Sequence, residues 1–175
     1  MGVATKSIIL EDVLDEIFSY LPDMSFDVGG EQFPVRFDYG DEVDLNHFLA
    51  NRETSTTYPL IWLLYPYSEK HTRTGLEVGA LNFIFAVDTN SSMENRERMQ
   101  ETFGKILMPL LFNFRQVLQK AGVININNNF DVVKHPNYSK TEARDENTVI
   151  AIWDALKVTT EGFTVIDTCL KEIKF

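Results

Sequence analysis

The chain holds one cysteine, three histidines and no excess of basic residues, and each shortage closes off a class of function. A lone cysteine, Cys169, excludes an intramolecular disulfide and a cysteine-based zinc cluster. No histidine lies close to it in sequence, so Cys169 is expected to be a small packing residue near the last strand rather than a nucleophile. His47, His71 and His135 are far apart, no HExxH pair exists, and no P-loop, GxGxxG or GxSxG segment occurs. With 16 Lys and Arg against 26 Asp and Glu, the formal net charge is −10 and the pI about 4.7. A basic footprint for gripping phosphates is therefore missing, and an acidic surface repels nucleic acid. No apolar run is long enough to span a membrane. The first apolar segment is broken by Glu11, Asp12, Asp15 and Glu16, unlike a signal peptide, and Lys6 stands where a myristoylation signal wants Ser or Thr. These shortages predict a protein that is cytoplasmic or built into a particle, with no catalytic residue, no cofactor and no resident metal.

What is present is a strongly apolar centre. Hydrophobic residues make up 44% of the 175, enough for one domain with its own core. Two runs, Tyr58–Tyr67 and Leu76–Val87, are rich in aromatic and branched residues and read as a strand pair joined by a polar connector at 68–75. Both faces of the first run are apolar, so it should be covered on both sides. A long helix is expected over Met93–Ala121. Ser91 and Glu94 would form its capping box, Pro109 would kink it, and Gly122 would end it. Trp62, Phe83, Phe85, Phe103 and Leu110 should be buried where the hairpin meets this helix.

The flanking segments complete an α+β chain. Ser7–Leu21 has helical spacing, with Ser7 as N-cap and Pro22 as the stop. Glu31–Tyr39 alternates like a half-buried strand, and Pro34 argues for an edge or a strand start. Asp41–Asn51 reads as a short helix whose start explains the carboxylates of Asp41, Glu42 and Asp44. The asparagines in Val123–Val133 suggest a hairpin turn, Lys134–Asn147 a polar arm, and Thr148–Val158 a strand. Glu161-Gly162 should then turn the chain into a return strand, Phe163–Asp167. The expected architecture is a single α+β domain over residues 1–175. Its mostly antiparallel sheet packs against the N-terminal helix and the long helix of the C-terminal half, with projecting loops near 68–75 and 134–147.

One short motif suggests metal chemistry. Asp88-Thr-Asn-Ser-Ser92 follows a strand and precedes a helix, as in the metal-dependent adhesion site of von Willebrand A domains. There, Asp and Ser oxygens hold a divalent ion, and Asp88, Ser91 and Ser92 would do so here. Asn90 replaces one serine of that pattern, and helix capping accounts for the same residues.

The order of elements, the strand Tyr58-Pro-Leu-Ile-Trp-Leu-Leu64, the segment Phe37-Asp-Tyr-Gly40 and the closing stretch Val149-Ile-Ala-Ile-Trp-Asp-Ala-Leu-Lys-Val158 resemble the tail-terminator proteins of tailed bacteriophages. The resemblance implies a structural virion protein without catalytic residues: a homo-oligomeric ring at the portal–tail junction, in the neck or as tail terminator. Its partners would be its own copies, other neck, portal-adaptor and tail proteins, and DNA passing through without sequence-specific contacts. It would be found in the virion, and in the host cytoplasm during assembly. Under this reading the mixed charges of the two excursions become candidate ring-interface residues: Glu69, Lys70 and Arg73 in one, and Lys140, Glu142, Arg144, Asp145 and Glu146 in the other. The rival reading is an adhesion-type binding domain using Asp88-x-Asn-x-Ser92.

Overall fold

The computed structural model describes residues 8–25, 32–50, 59–72, 75–89, 92–127, 129–138 and 153–166. The chain runs α1 (Leu10–Phe18), β1 (Met24–Ser25), β2 (Gln32–Phe33), β3 (Arg36–Gly40), α2 (Glu42–Ala50), β4 (Leu60–Leu64), β5 (Glu69–Thr72) and β6 (Gly75–Val78). It continues with β7 (Asn82–Asp88), α3 (Asn95–Arg98), a π-helical stretch (Met99–Leu107), α4 (Met108–Lys120), β8 (Ile124–Ile126), β9 (Phe130–His135), β10 (Trp153–Thr160) and β11 (Phe163–Ile166). This is an α+β fold. Its main sheet has five strands in the order β3-β4-β7-β10-β9, and a second has four in the order β5-β6-β11-β8.

The main sheet is covered on both faces, as the doubly apolar strand predicts. All five residues of β4 are buried. Ile61 and Leu63, with Phe83, Phe85 and Val87 of β7, join α1, the π-helical stretch and α4 in one cluster. Leu60, Trp62 and Leu64, with Ile84 and Ala86, join Leu45 and Leu49 of α2, Tyr138 and Trp153 in another. Period-two alternation sends neighbouring residues to opposite faces. Of the five expected core residues, Phe83, Phe85, Phe103 and Leu110 meet on the long-helix face, but Trp62 points away from it. Its indole N–H donates to Gly40 O at 3.2 Å. Phe114 centres the helix face, with its ring 5.2 Å from that of Phe18, 5.2 Å from Phe83 and 5.0 Å from Phe85.

The topology differs from the expectation at four places, each for a local reason. First, the strand expected over Glu31–Tyr39 is two, β2 paired with β1 in a two-stranded sheet and β3 in the main sheet. β3 is an edge strand but runs parallel to β4, because α2 between them serves as the crossover that parallel pairing requires. Second, Leu76–Val87 is two strands in two sheets. β6 pairs with β5, so Glu69–Thr72 of the expected loop is a strand, and the chain passes through Gly79 before β7 pairs with β4.

Third, Glu161-Gly162 does not return β11 along β10. β11 continues into the second sheet, where it lies between β6 and β8. Gly162 permits this: a Cβ there would sit 2.9 Å from Val78 O. The buried Thr160 fastens the bend, its N–H donating to Leu81 O at 2.9 Å and its hydroxyl accepting from Leu81 N–H at 3.2 Å. Fourth, β8, which contains Asn125, and β9 lie in different sheets, so they do not pair as the two arms of the expected hairpin.

The long helix keeps its expected position and changes its winding. Pro109 lacks an N–H and its ring crowds the carbonyl four residues back, that of Lys105. The nine residues Met99–Leu107 are wound as a π-helix, with Met108 N–H donating to Phe103 O, five residues back, and Pro109 opens α4. Gly122, at φ +66°, ends the helix as expected. At the other end the helix starts later than the expected capping box requires, and Ser91 lies outside the described residues. The helix starts at Asn95, so Glu94 occupies the cap position itself and makes no side-chain cap hydrogen bond. The N-terminal helix likewise starts later than expected, at Leu10 after Ile9, and Ser7 lies outside the described residues.

Candidate functional site

Beyond Leu64 the chain leaves the sheet as Tyr65-Pro66-Tyr67, with a cis peptide bond between Tyr65 and Pro66. Tyr65 N–H donates to Gly40 O at 3.0 Å, which holds the segment beside the end of β3. There it meets the first turn of α1. The hydroxyls of Tyr65 and Tyr67 both donate to Glu11 Oε1. Burial alone pushes the Glu11 carboxyl up. The two phenol hydrogen bonds and its own backbone amide stabilise the anion, and the net result lies below the ordinary carboxylate value. Both phenols are pushed up, first by burial and then by the hydrogen bond to Glu11 and the charge on it.

The tyrosines belong to a longer aromatic row. Ring centroids are 6.2 Å apart for Phe37 and Tyr39, 6.0 Å for Tyr39 and Tyr65, and 5.5 Å for Tyr65 and Tyr67. Tyr39 is 46% exposed and Tyr65 37%. An open cleft of about 350 Å³ lies along the end of this row, lined by Tyr65, Pro66, Tyr67 and Glu69.

A second polar cluster is buried. Arg98, with 1% of its side chain exposed, sits 2.7 Å from Asp154 of β10, whose side chain is fully covered. The same guanidinium donates to Thr89 Oγ1 at 2.9 Å and Met93 O at 3.1 Å. Asp154 also accepts Asn137 N–H at 3.1 Å, and Thr102 Oγ1 lies 2.6 Å from it and 2.7 Å from Arg98 O. The network ties the start of the long helix, β10 and the turn after β9 together. Two buried polar atoms on neighbouring residues, Trp153 Nε1 and Asn137 Oδ1, have no hydrogen-bond partner among the described residues.

The structure describes only some of the residues singled out from sequence. Glu69 and Lys70 lie on β5, where Lys70 Nζ is 3.0 Å from Glu77 Oε2 across the hairpin and Glu69 is 3.3 Å from His71 Nε2. Arg73, Lys140, Glu142, Arg144, Asp145 and Glu146 lie outside the described residues, as does Cys169. Asp88 ends β7 opposite Trp153, and Ser92 lies in the following turn, while Asn90 and Ser91 are outside the described residues. No group of three or more His, Cys, Asp or Glu could hold a metal ion among the described residues. Asp41 and Asp44 cap α2 reciprocally, Asp44 N–H donating to Asp41 Oδ1 at 2.9 Å and Asp41 N–H to Asp44 Oδ2 at 3.2 Å. No described helix is long and apolar enough to cross a membrane.

Both clusters escaped sequence reasoning. Glu11 reads as one more carboxylate on a solvated helix face, and nothing local ties it to tyrosines 54 and 56 positions away. The buried pair left a fainter signal: a lone Asp within the apolar stretch Ile152-Trp-Asp-Ala-Leu156, and an Arg four residues before Thr102 at the apolar helix stripe. A charge on each of two facing apolar surfaces points to a pair. No family model matches the chain, and no curated protein or solved structure matches it.

Proposed function

We propose that the chain is a structural virion protein that forms a closed ring of identical subunits at the junction of portal and tail, in the neck or as tail terminator. The observation that carries the reading is a pair of unlike open strands. At one end of the main sheet, β9 pairs only with β10 among the described residues and exposes Val132 (37%) and Val133 (51%). At one end of the second sheet, β5 is exposed and carries Glu69, Lys70 and His71. A rotational ring needs two different patches on each copy, and a free strand edge offers backbone hydrogen bonds to a neighbour. The net charge of −10 favours a conduit, because phosphates passing an acidic surface are repelled rather than held. The reading rests on the resemblance in element order and strand texture, and requires no catalytic group.

The test is imaging of virions, or of the protein mixed with its neck partners. A ring of this chain between portal and tail is the expected result. A single copy, or a position elsewhere in the particle, overturns it. Deleting residues 140–146 should then reduce incorporation while leaving the melting temperature of the isolated protein nearly unchanged.

A further inference from the structure

We propose that the tyrosine row at Tyr39, Tyr65 and Tyr67, with the cleft beside Glu69, is a docking site for an arginine side chain carried by another protein. Three observations carry this. The first is a contrast within the molecule. Phe48, Phe130 and Phe103 each hold a cation of this chain near the ring: Arg36 at 5.3 Å, Arg115 at 5.2 Å and Lys134 at 5.7 Å. Among the described residues, no Arg or Lys lies over Tyr39, Tyr65 or Tyr67, although these rings are partly exposed and stand in a row. Electron-rich faces attract cations, so this row is an aromatic surface on which that attraction is unfilled among the described residues.

The second observation is charge. Glu11 holds both phenols through Oε1 and faces no cation among the described residues. Glu69 lines the cleft. A cation arriving over the rings meets two carboxylates, on a chain whose net charge is −10. The third is shape. Ring centroids 5.5–6.0 Å apart leave no gap in which a tetrahedral ammonium could be caged. A flat guanidinium can lie on the outer faces and keep its edge donors for a carboxylate. The cleft is open, which suits a side chain presented by a macromolecule. Among the described arginines, Arg98 is buried, Arg36 pairs with Asp38 and Arg115 covers Phe130, while Arg96 is exposed on α3. A second copy would bring the same net charge of −10 to a cleft that already presents two carboxylates, so the occupant is another protein with an arginine on a basic surface.

The experiment titrates the full chain with a capped Gly-Arg-Gly tripeptide and follows tyrosine ring resonances by NMR. Its controls are the citrulline and lysine tripeptides and tetramethylammonium. Arginine should shift Tyr39, Tyr65 and Tyr67 with weak, saturable binding, and citrulline should not. Glu69→Gln and Tyr39→Leu, both at exposed positions, should each weaken binding about 2- to 5-fold, the range an exposed cation–aromatic contact implies. Equal binding of citrulline, or shifts confined to other residues, would overturn the site. Lysine or tetramethylammonium binding as well as arginine would overturn its selectivity. Self-association abolished by either substitution would overturn the assignment to another protein.

Discussion

Two carboxylates in this molecule are each held by several donors, and they are held for opposite ends. Asp154 is fully covered, faces a guanidinium at 2.7 Å, and accepts further hydrogen bonds from a helix and a turn. Glu11 lies at the surface, accepts two phenols and its own backbone amide, and faces no cation among the described residues. The first arrangement neutralises a charge that the interior could not otherwise tolerate. The second leaves a charge standing beside exposed rings. Hydrogen bonds around a carboxylate therefore do not by themselves mark a site. What separates the two clusters is whether the charge has already been matched inside the chain.

The largest test of this contrast is at Arg98. Replacing it with Met strands Asp154 in the interior, which should cost about 3–5 kcal/mol in chemical denaturation. Arg98→Met together with Asp154→Leu should cost less than Arg98→Met alone, because no uncompensated charge remains. A single-variant cost under about 1 kcal/mol would mean that water or relaxation reaches Asp154.

A smaller effect is expected at Glu11. Glu11→Gln keeps the shape but weakens two charge-assisted hydrogen bonds, and at a solvated site this should cost about 1 kcal/mol. Its pH dependence is the sharper readout. The Glu11 carboxyl lies below its ordinary value of 4.5 in the folded state, so its contribution is full above that pH and fades as pH falls through the folded value. The phenols are raised, so their contribution is full below about pH 10, the unperturbed tyrosine value, and fades above it. The stability gap between wild type and Glu11→Gln should be flat between these limits and narrow on the acid side. A gap that widens in acid would show that burial of the carboxyl outweighs the phenols.

The sequence made the core legible and hid the connections. Alternation in Leu60–Leu64 and helical spacing from Phe103 to Leu118 follow from local periodicity, and the structure buries those positions as expected. Trp62 went to the wrong face because both faces of β4 are apolar, and periodicity alone does not say which partner lies on which side. The second sheet was invisible for another reason. Gly79 sits inside one apolar run and Glu161-Gly162 reads as a return turn, and only the approach of Gly162 to Val78 O shows that two strands bend together there. Pairing between residues some 80 positions apart, as at Leu81 and Thr160, has no local signature. Neither cluster is a sequence motif, since each joins side chains more than 50 positions apart.

The smallest effect completes the comparison with a pair that is neither buried nor shielded. Lys70 and Glu77 are directly opposed in the β5–β6 register and 3.0 Å apart, with side chains 74% and 50% exposed. Water screens both charges, and holding two long side chains in one geometry costs entropy, so the net gain should be about 0.2–1 kcal/mol and should fall in high salt. Lys70→Met should therefore leave the melting temperature of the isolated protein nearly unchanged. In the proposed ring, β5 is a candidate edge for a neighbour, and there the same charge sits at a subunit boundary where it sets register. Lys70→Met should then lower incorporation into the particle by more than its stability effect explains. Incorporation at the wild-type level, in a particle where the ring is seen, would remove Lys70 from the interface. A loss of stability above about 1 kcal/mol would place the pair with Arg98 and Asp154 as part of the fold, against its exposure.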